Sequence, residues 1–292
     1  MNRPERTRSA RRWLAFMILF TAGLTLSAQQ SNPPQAPGEL VRAAVADEVE
    51  AANNTAIKHM FRSRRQSPRG SQTRLYVETN SAMAAMMIAV NDQPLTPQQQ
   101  QTEDGHLAWL MNTPDQLRKK EAREKEDSER TLRIVKALPD AFLYKYAGTE
   151  GKLVKLTFTP NPEYSPPSRV EQALVGMKGY LLIDPVARRL AKIDGTLFRD
   201  ITFGWGIVGR LDKGGHFVVT QADVGDGTWD ITEMSLNITG KILLFKSISM
   251  VSDEVFSDFR RVPDDLSFAK GVEMLKAEQE KLATTRQPDA AK

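Results

Sequence analysis

The stretch from Gly179 to Val262 decides the fold, and it reads GYLLIDPVARRLAKIDGTLFRDITFGWGIVGRLDKGGHFVVTQADVGDGTWDITEMSLNITGKILLFKSISMVSDEVFSDFRRV. Turn-forming groups interrupt it at short intervals: Asp184-Pro185, Asp194-Gly195, Lys213-Gly214-Gly215, Gly225-Asp226-Gly227 and Thr239-Gly240-Lys241. Glycine and aspartate tolerate positive φ, and proline presets a turn. The segments between the turns are rich in β-branched and aromatic residues, which favours strands. This pattern predicts an antiparallel meander rather than βαβ units.

Two segments of this meander carry more specific information. In residues 228–238 the apolar positions are first odd-numbered and then even-numbered: Trp229, Ile231, Met234, Leu236 and Ile238. Since a strand keeps one parity for each face, the change predicts a β-bulge near Thr232-Glu233. Residues 242–245 are apolar on both parities, which indicates a central strand that is covered on both faces.

The residues before and after the meander add helices and further strands. Helical spacing from Leu40 predicts a surface helix, and residues 58–65, 72–80 and 83–91 are typical of three strands. Thr96 and Thr113, each followed by proline, are expected to begin two helices. Residues 141–146 and 152–159 are predicted to form a hairpin, and Ser267 is expected to cap a final helix. The expected fold class is α+β, with a large curved antiparallel sheet that forms an incomplete barrel and is covered by helices on its concave side.

The N-terminal segment has the pattern of an export signal. Five arginines precede an apolar run from Trp13 to Leu26, and Ser27-Ala28 follows. We therefore expect a signal peptide at residues 1–28, a flexible proline-rich lead-in at 29–38, a single α+β domain at 39–283 and a disordered tail at 284–292. The protein is expected to be exported, periplasmic or extracellular, and to have no stable membrane span once the signal is cleaved.

Charge and cysteine content exclude several classes of protein. The leader holds five of the 40 basic and one of the 36 acidic residues, so the remainder has 35 of each and a formal charge of zero. This balance gives no basic surface for nucleic acid. The chain has no cysteine, which excludes disulfides, thiol catalysis and cysteine-ligated metal clusters.

Two local motifs could be read as ligand sites. Residues 204–209 match the spacing G-x-G-x-x-G, but a dinucleotide fingerprint requires a helix at that point, and the turn residues of 210–215 follow instead. Asp223, Asp226 and Asp230 could suggest calcium, although their spacing differs from that of an EF-hand and Asp-Gly is common in hairpin turns. We predict neither a cofactor nor a metal.

Catalysis has no visible signature. His59, His106 and His216 lie far apart in sequence, without H-E-x-x-H spacing, and there is no G-x-S-x-G elbow. A polar cleft that brings His106 or His216 to a carboxylate is what a hydrolase would require. We expect a protein that is not an enzyme.

Aromatic residues of the predicted sheet are the remaining candidates for a site. Each could serve only in core packing, or they could line an apolar cavity between the sheet and the helices. A cavity of this kind binds an acyl chain without any reactive group, since burial of each CH₂ is worth about 0.8 kcal/mol. The residues assigned to this hypothetical cavity are Phe142, Tyr144, Phe158, Tyr180, Phe203, Trp205, Phe217 and Trp229.

The order of these elements resembles a known group of proteins. A signal peptide, a helix, a first set of strands, two inserted helices and a meander containing GYLLIDPVARRLAKIDGTL and GHFVVTQADVGDGTWDITEMSLNITGKILLFK are similar to the LolA/LolB-type superfamily of outer-membrane lipoprotein-sorting proteins. The resemblance covers most of the chain after the signal, and is closer to exported bacterial relatives than to the carriers themselves. It implies an incomplete barrel, helices that plug its open side and a hydrophobic cavity for lipid.

Two hypotheses about function follow. In the first, the protein binds lipid or lipoprotein acyl chains in an apolar cavity, as a carrier or chaperone. In the second, it is an envelope interaction or scaffold protein whose sheet is packed solidly by its helices, with other envelope proteins as partners. The volume and lining of any cavity would distinguish them.

Overall fold

We analysed a computed structural model, which describes residues 36–204, 208–225, 227–242 and 246–285. The strands of its first half are β1 (Lys58–Ser67), β2 (Gly70–Val77), β3 (Ala84–Val90), β4 (Gln93–Pro94), β5 (Phe142–Glu150) and β6 (Leu153–Pro160). The meander supplies β7 (Met177–Asp184), β8 (Arg189–Leu197), β9 (Ile201–Phe203), β10 (Gly209–Leu211), β11 (His216–Asp223), β12 (Trp229–Ile242) and β13 (Lys246–Val262). The helices are α1 (Pro37–Asn53), α2 (Pro97–Asn112), α3 (Pro114–Ala141) and α4 (Phe268–Thr285), with a 3₁₀ turn at Glu171–Gly176.

All the strands belong to one sheet in which every described pair is antiparallel. Its order is β4-β3-β2-β1-β13-β12-β11-β8-β7-β6-β5, and the short strands β9 and β10 extend from β12. In the described residues the end strands, β4 and β5, do not pair with each other, so the sheet stays open. The predicted α+β class with a large open antiparallel sheet is confirmed.

The first hydrophobic core lies where α1 and the end of α3 pack on strands β5 to β8. Leu40, Val41 and Ala44 of α1 meet Leu181 and Ile183 of β7, and all five are buried. In the pairing register, Leu181 lies opposite Ile193 and Leu156, which places these residues on one face of the sheet. We call this the α1 face.

The second core lies on the other face, under α2 and α4. Met60, Leu75 and Val77 of β1 and β2 are buried against Leu107 of α2 and Val272 of α4. Following the register from β1 through β13, β12 and β11 to β8 shows that these side chains point away from the first core. We call this side the α4 face. The helices are thus divided between two faces of the sheet.

Helix α3 connects the two edges of the sheet. At one edge the Glu124 carboxylate accepts a hydrogen bond from the Met83 backbone N–H, just before β3, at 2.9 Å. At the other edge Ala141 leads directly into β5. Glu124 and Ala141 are about 26 Å apart along a helix, whereas the nine inter-strand steps from β3 to β5 would span about 43 Å in a flat sheet. The sheet therefore curves, and α3 spans its open side.

The middle of α3 carries charges of both signs and is exposed. Nearly every side chain between Glu121 and Thr131 faces solvent. Arg130 pairs with Glu126 one turn earlier, and Lys120 pairs with Glu124. Pairs of this kind support an isolated helix by a few tenths of a kcal/mol each, which suits a segment that has little core beneath it.

Several local predictions can be compared with the structure. The β-bulge is confirmed, since the partners of β11 pass from Glu233 to Ile231 and omit Thr232. Thr96 forms a full capping box with Gln99, as expected of a helix start, whereas the Thr113 side chain makes no capping hydrogen bond. The strand predicted at 242–245 lies mostly outside the described residues.

A mostly buried ion pair fixes α1 to the sheet. Both oxygens of Glu48 accept from the Arg189 guanidinium at 2.9 and 2.8 Å, and Oε1 also accepts from the Leu190 backbone N–H at 2.9 Å. The two side chains are only 11% and 13% exposed. Removing one partner would leave the other charge unpaired in a poorly solvated position.

We predict that Glu48→Ala lowers the free energy of unfolding by about 3 kcal/mol. The matched control is Glu50→Ala, since Glu50 is exposed on the same helix, and it should change stability by less than about 0.5 kcal/mol. Urea denaturation of both variants provides the measurement. Equal, small effects would show that the ion pair does not fix α1.

Candidate ligand-binding face

The central strands carry an apolar surface on the α1 face. Directly paired residues share a face, so the register places one row of side chains from β11, β12 and β13 together. They are half-buried or exposed, and the described helices form their cores over other strands. We call this row the apolar stripe: Phe217, Val219, Trp229, Ile231, Met234, Leu236, Ile238, Ile248 and Met250.

The opposite face of β12 is polar. Residues of β12 that alternate with the stripe are Glu233, Ser235, Asn237, Thr239 and Lys241. An antiparallel sheet normally turns its apolar face to a core and its polar face to water. Here the polar side is placed as usual, but in the described residues no helix covers the apolar side at its centre. The stripe is therefore an apolar surface that the two cores leave uncovered.

An aromatic cluster extends the stripe towards β1 and β2. The Phe61 ring stacks at 5.2 Å on both Tyr76 and Phe259, and meets Phe256 edge-on at 6.2 Å. Phe61 lies opposite Tyr76, and Phe256 lies opposite Ser63, so these rings occupy the α1 face. Aromatic groups in contact across strands form a large, stiff apolar platform.

Three of the residues assigned to a cavity are part of the first core. Phe142 and Phe158 are 4% and 3% exposed, with ring centroids 4.5 Å apart. Tyr144 packs beside them, and its hydroxyl donates to the Leu138 carbonyl at 2.7 Å. Burial raises the pKa of Tyr144. The structure brings these three rings together as packing beneath α1 and α3.

The other five assigned residues are spread over the sheet. Phe203 packs against the edge of the first core, and Phe217 packs there while also beginning the stripe. Trp229 lies at the far end of the stripe, 5.8 Å from the Arg189 guanidinium. Tyr180 is on the α4 face with Lys155 Nζ over its ring at 4.1 Å, because it pairs with Asp194 and Thr157. Trp205 lies outside the described residues.

Sequence reasoning missed most of the stripe. Met234, Leu236 and Ile238 were used to predict the bulge, but their shared parity also places them on one face beyond it. Met250 and Phe256 lie on β13, whose pairing with β1 brings together residues about 200 positions apart. Parity could have identified the first three, whereas the long-range register was needed for the others.

A partly buried acidic pair, Glu78 and Asp230, lies beside the aromatic cluster. The Glu78 carboxylate accepts from the His59 backbone N–H at 2.6 Å, and His59 is 6% exposed. Burial is the main cause that raises the pKa of Glu78, and the charge of Asp230 adds to it. Burial likewise raises the pKa of Asp230. Both carboxyls therefore retain a proton at higher pH than they would in water.

The motifs that suggested other ligands have structural roles in the described residues. Gly209 begins strand β10, which pairs with β9, so a strand rather than a helix follows the G-x-G-x-x-G spacing. Asp223 accepts from the Gly225 backbone N–H at 2.8 Å in a turn, and Asp226 lies outside the described residues. Within the described ranges, no group of three or more acidic, histidine or cysteine side chains is placed to hold a metal.

Of the two histidines considered for a hydrolase, His216 meets a carboxylate. His216 Nε2 lies 2.9 Å from Asp194 Oδ1, and the histidine side chain is 41% exposed. The pair occupies the α4 face, where His216 lies opposite Thr196 and Asn237. Neither residue lines the recesses described below.

The described recesses are lined largely by polar residues. One, of about 490 Å³, lies between the end of α1 and β8 and includes Asp47, Asn54 and Arg189. Another, of about 500 Å³, lies where the β1–β2 turn meets β13. Neither is an apolar cavity between sheet and helices. A ligand for the stripe would therefore lie on an open face, not inside a closed pocket.

Comparison with solved structures finds chains of similar fold. The chain is similar to the crystal structure of a domain described as an outer membrane lipoprotein-sorting protein from Vibrio parahaemolyticus, with 11% identity and a TM-score of 0.32. The alignment covers 80% of this chain and 97% of that one. No protein-family model and no curated protein matches the chain. The site is therefore argued from the residues of this chain.

The four helices were also compared with the requirements of a membrane span. In the described ranges, none is both long enough and apolar enough to cross a bilayer.

We predict opposite pH effects for two acidic residues. A raised pKa means that ionised Glu78 costs stability, so Glu78→Gln should gain stability relative to the parent as the pH rises from about 4 to about 7. Asp92 is the control, because its salt bridge to Arg64 lowers its pKa. Asp92→Asn should lose stability relative to the parent at lower pH, as the pH rises from about 2 to about 4, because a carboxyl with a lowered pKa ionises first in the native state.

Urea denaturation at several pH values measures both effects. Parallel pH profiles for the two variants would contradict the assignment of Glu78 as a carboxyl that is ionised at a cost.

Proposed function

We propose that this protein binds a lipid or lipoprotein acyl chain along the apolar stripe. The observation that carries the proposal is the α1 face of the central strands, which no described helix covers at its centre and on which β12 is apolar while its reverse face is polar. Leaving such a surface in water is unfavourable, and patches of this kind are typical of binding sites. Of the two sequence hypotheses, the acyl-chain one fits this surface better than a solidly packed scaffold.

The dimensions of the stripe support this occupant. From Trp229 to Ile238 it follows β12 for about 30 Å at the usual rise of a strand. One acyl chain spans half a bilayer core, about 15 Å. The chain would thus fit lengthwise between the side chains of β11 and β13, with room for a second chain.

Energetics set the expected affinity. A chain that lies on an open face loses about half of its contact with water, so about 14 methylene groups contribute roughly 6 kcal/mol. That corresponds to a dissociation constant of tens of micromolar. Binding at this strength is reversible, which suits a carrier or chaperone that must release its cargo.

Export is part of the same proposal. The N-terminal arginines and the apolar run at 13–26 are typical of a signal peptide, which would place the protein in the periplasm or outside the cell, where lipoproteins are sorted. The proposal assigns no reaction to the protein and treats it as a binding protein.

The test is a double substitution on the stripe. Met250→Gln with Leu236→Gln should weaken uptake of a fluorescent fatty acid at least about tenfold. Two apolar side chains are replaced by polar amides, which lose hydrogen bonds to water when an acyl chain covers them. Val218→Gln with Val255→Gln is the matched control, since these valines lie on the α4 face of the same sheet.

The control should bind as the parent does, and circular dichroism should show both variants folded. If all three proteins take up the probe equally, the stripe is not the site. If the folded parent takes up none, acyl-chain binding itself is excluded.

A further inference from the structure

Strand β1 carries arginines on both faces of the sheet, and those on the α4 face are neutralised. Arg64 forms two hydrogen bonds of 2.7 Å with the Asp92 carboxylate. Arg62 lies 3.2 Å from Asp258. Each of these guanidinium groups therefore has a carboxylate partner from a neighbouring turn or strand. These ion pairs explain the presence of both arginines.

The arginines on the α1 face of the same hairpin differ. Arg65 lies opposite Gln72, and Arg74 lies opposite Ser63, so both point to the side of the apolar stripe. Within the described residues, neither has a carboxylate at ion-pair distance, and the same is true of Arg69 in the β1–β2 turn. All three are exposed. Arg65 has only a long contact of 3.5 Å with the Ser252 hydroxyl.

One carboxylate, that of Glu254, lies on the same face as these arginines. Glu254 lies opposite Arg65 in the register, but its Oε1 accepts a hydrogen bond from the Ser63 hydroxyl. Three cationic groups thus share the area with one acidic group, and the local charge is positive although the chain after its leader is balanced.

These arginines border two adjoining recesses. The larger, of about 500 Å³, is lined by Arg65, Arg69 and Gln72 and by Met250 and Val251 of β13. The smaller, of about 120 Å³, is lined by Arg65, Arg74, Tyr76 and Glu254. Guanidinium groups bind phosphate through paired N–H donors, so this corner offers the chemistry of an anionic phosphate site.

The recess is continuous with the apolar stripe. Met250 belongs to both, and it lies opposite Ile238 of β12. Ser252, which Arg65 contacts, lies opposite Leu236. An apolar surface that ends at unpaired cations is complementary to a molecule with an acyl chain and an anionic head.

We propose that the ligand is an anionic phospholipid, whose phosphate head group is held by Arg65, Arg69 and Arg74 while its acyl chain lies on the stripe. This inference rests on the proposed acyl-chain site and adds the chemical class of the head group. The arginines of the α4 face on the same strand provide a contrast, because each is paired with a carboxylate of the chain itself. The arginines of the α1 face lack such a partner in the described residues, which leaves them available for a ligand.

The experiment compares two lipids with identical acyl chains, phosphatidylglycerol and the zwitterionic phosphatidylcholine, by native mass spectrometry of the purified protein. The parent should bind phosphatidylglycerol about tenfold more tightly, which is the scale of charge-assisted contacts at an exposed site. The preference should fall as salt is added, because exposed charges are screened.

The variant Arg65→Gln with Arg74→Gln should bind both lipids with the affinity that the parent has for phosphatidylcholine. The matched control, Arg123→Gln with Arg133→Gln, removes the same charge from the exposed side of α3 and should keep the preference. A parent that binds both lipids equally would overturn the head-group site and leave acyl-chain binding intact. A parent that binds neither lipid would overturn both.

Phospholipid vesicles provide a second part of this experiment. If the parent sediments with phosphatidylglycerol vesicles through Arg65 and Arg74 but removes no lipid from them, the arginines recognise a membrane surface, and the inference of a single bound phospholipid is wrong. Transfer of labelled phosphatidylglycerol into the soluble fraction by the parent, and its loss in the arginine variant, is the expected result.

Discussion

An apolar strand face is favourable only when it is covered. In this fold the described helices cover only part of the sheet. Helix α1 and the end of α3 cover β5 to β8 on one side, and α2 and α4 cover β1 to β3 on the other. The central strands receive neither group. Because burial of apolar surface is the main favourable term in folding, a sequence that keeps Leu236, Ile238 and Met250 on an uncovered face retains them at a cost to stability. The binding role proposed above would explain that cost.

The placement of charge follows the same division of faces. On the α4 face of β1, arginines are matched with aspartates, and the exposed α3 helix balances its charges within single turns. On the α1 face, Arg65 and Arg74 stay without such partners in the described structure, next to the apolar side chains. Surface ion pairs add little to stability, so the difference between faces is better understood as a difference in availability for a ligand than as a difference in folding energy.

Much of the architecture could be predicted from local patterns. Turn residues and alternating apolar positions identified the meander, and the parity change around Thr232 identified the bulge. Aromatic residues were harder to place. Phe142 and Phe158 are core residues because α1 lies over them, and Tyr180 faces the other way because it is one residue out of phase with Leu181. Packing between segments far apart in sequence decides which face a helix covers. A local sequence pattern therefore cannot predict it. The same holds for Phe61 and Phe256, which meet only through the pairing of β1 with β13.

That pairing has a consequence for how the molecule is made. Lys58 finds its partner Val262 only after about 200 further residues have been synthesised, and until then β1 presents a bare edge beside its aromatic rings. Contacts so remote in sequence slow folding, since the loop must close before any gain is realised. The newly made polypeptide thus passes through an interval in which its sheet is incomplete and prone to join with a neighbour, and a folding helper that shields this edge would be most useful during that interval.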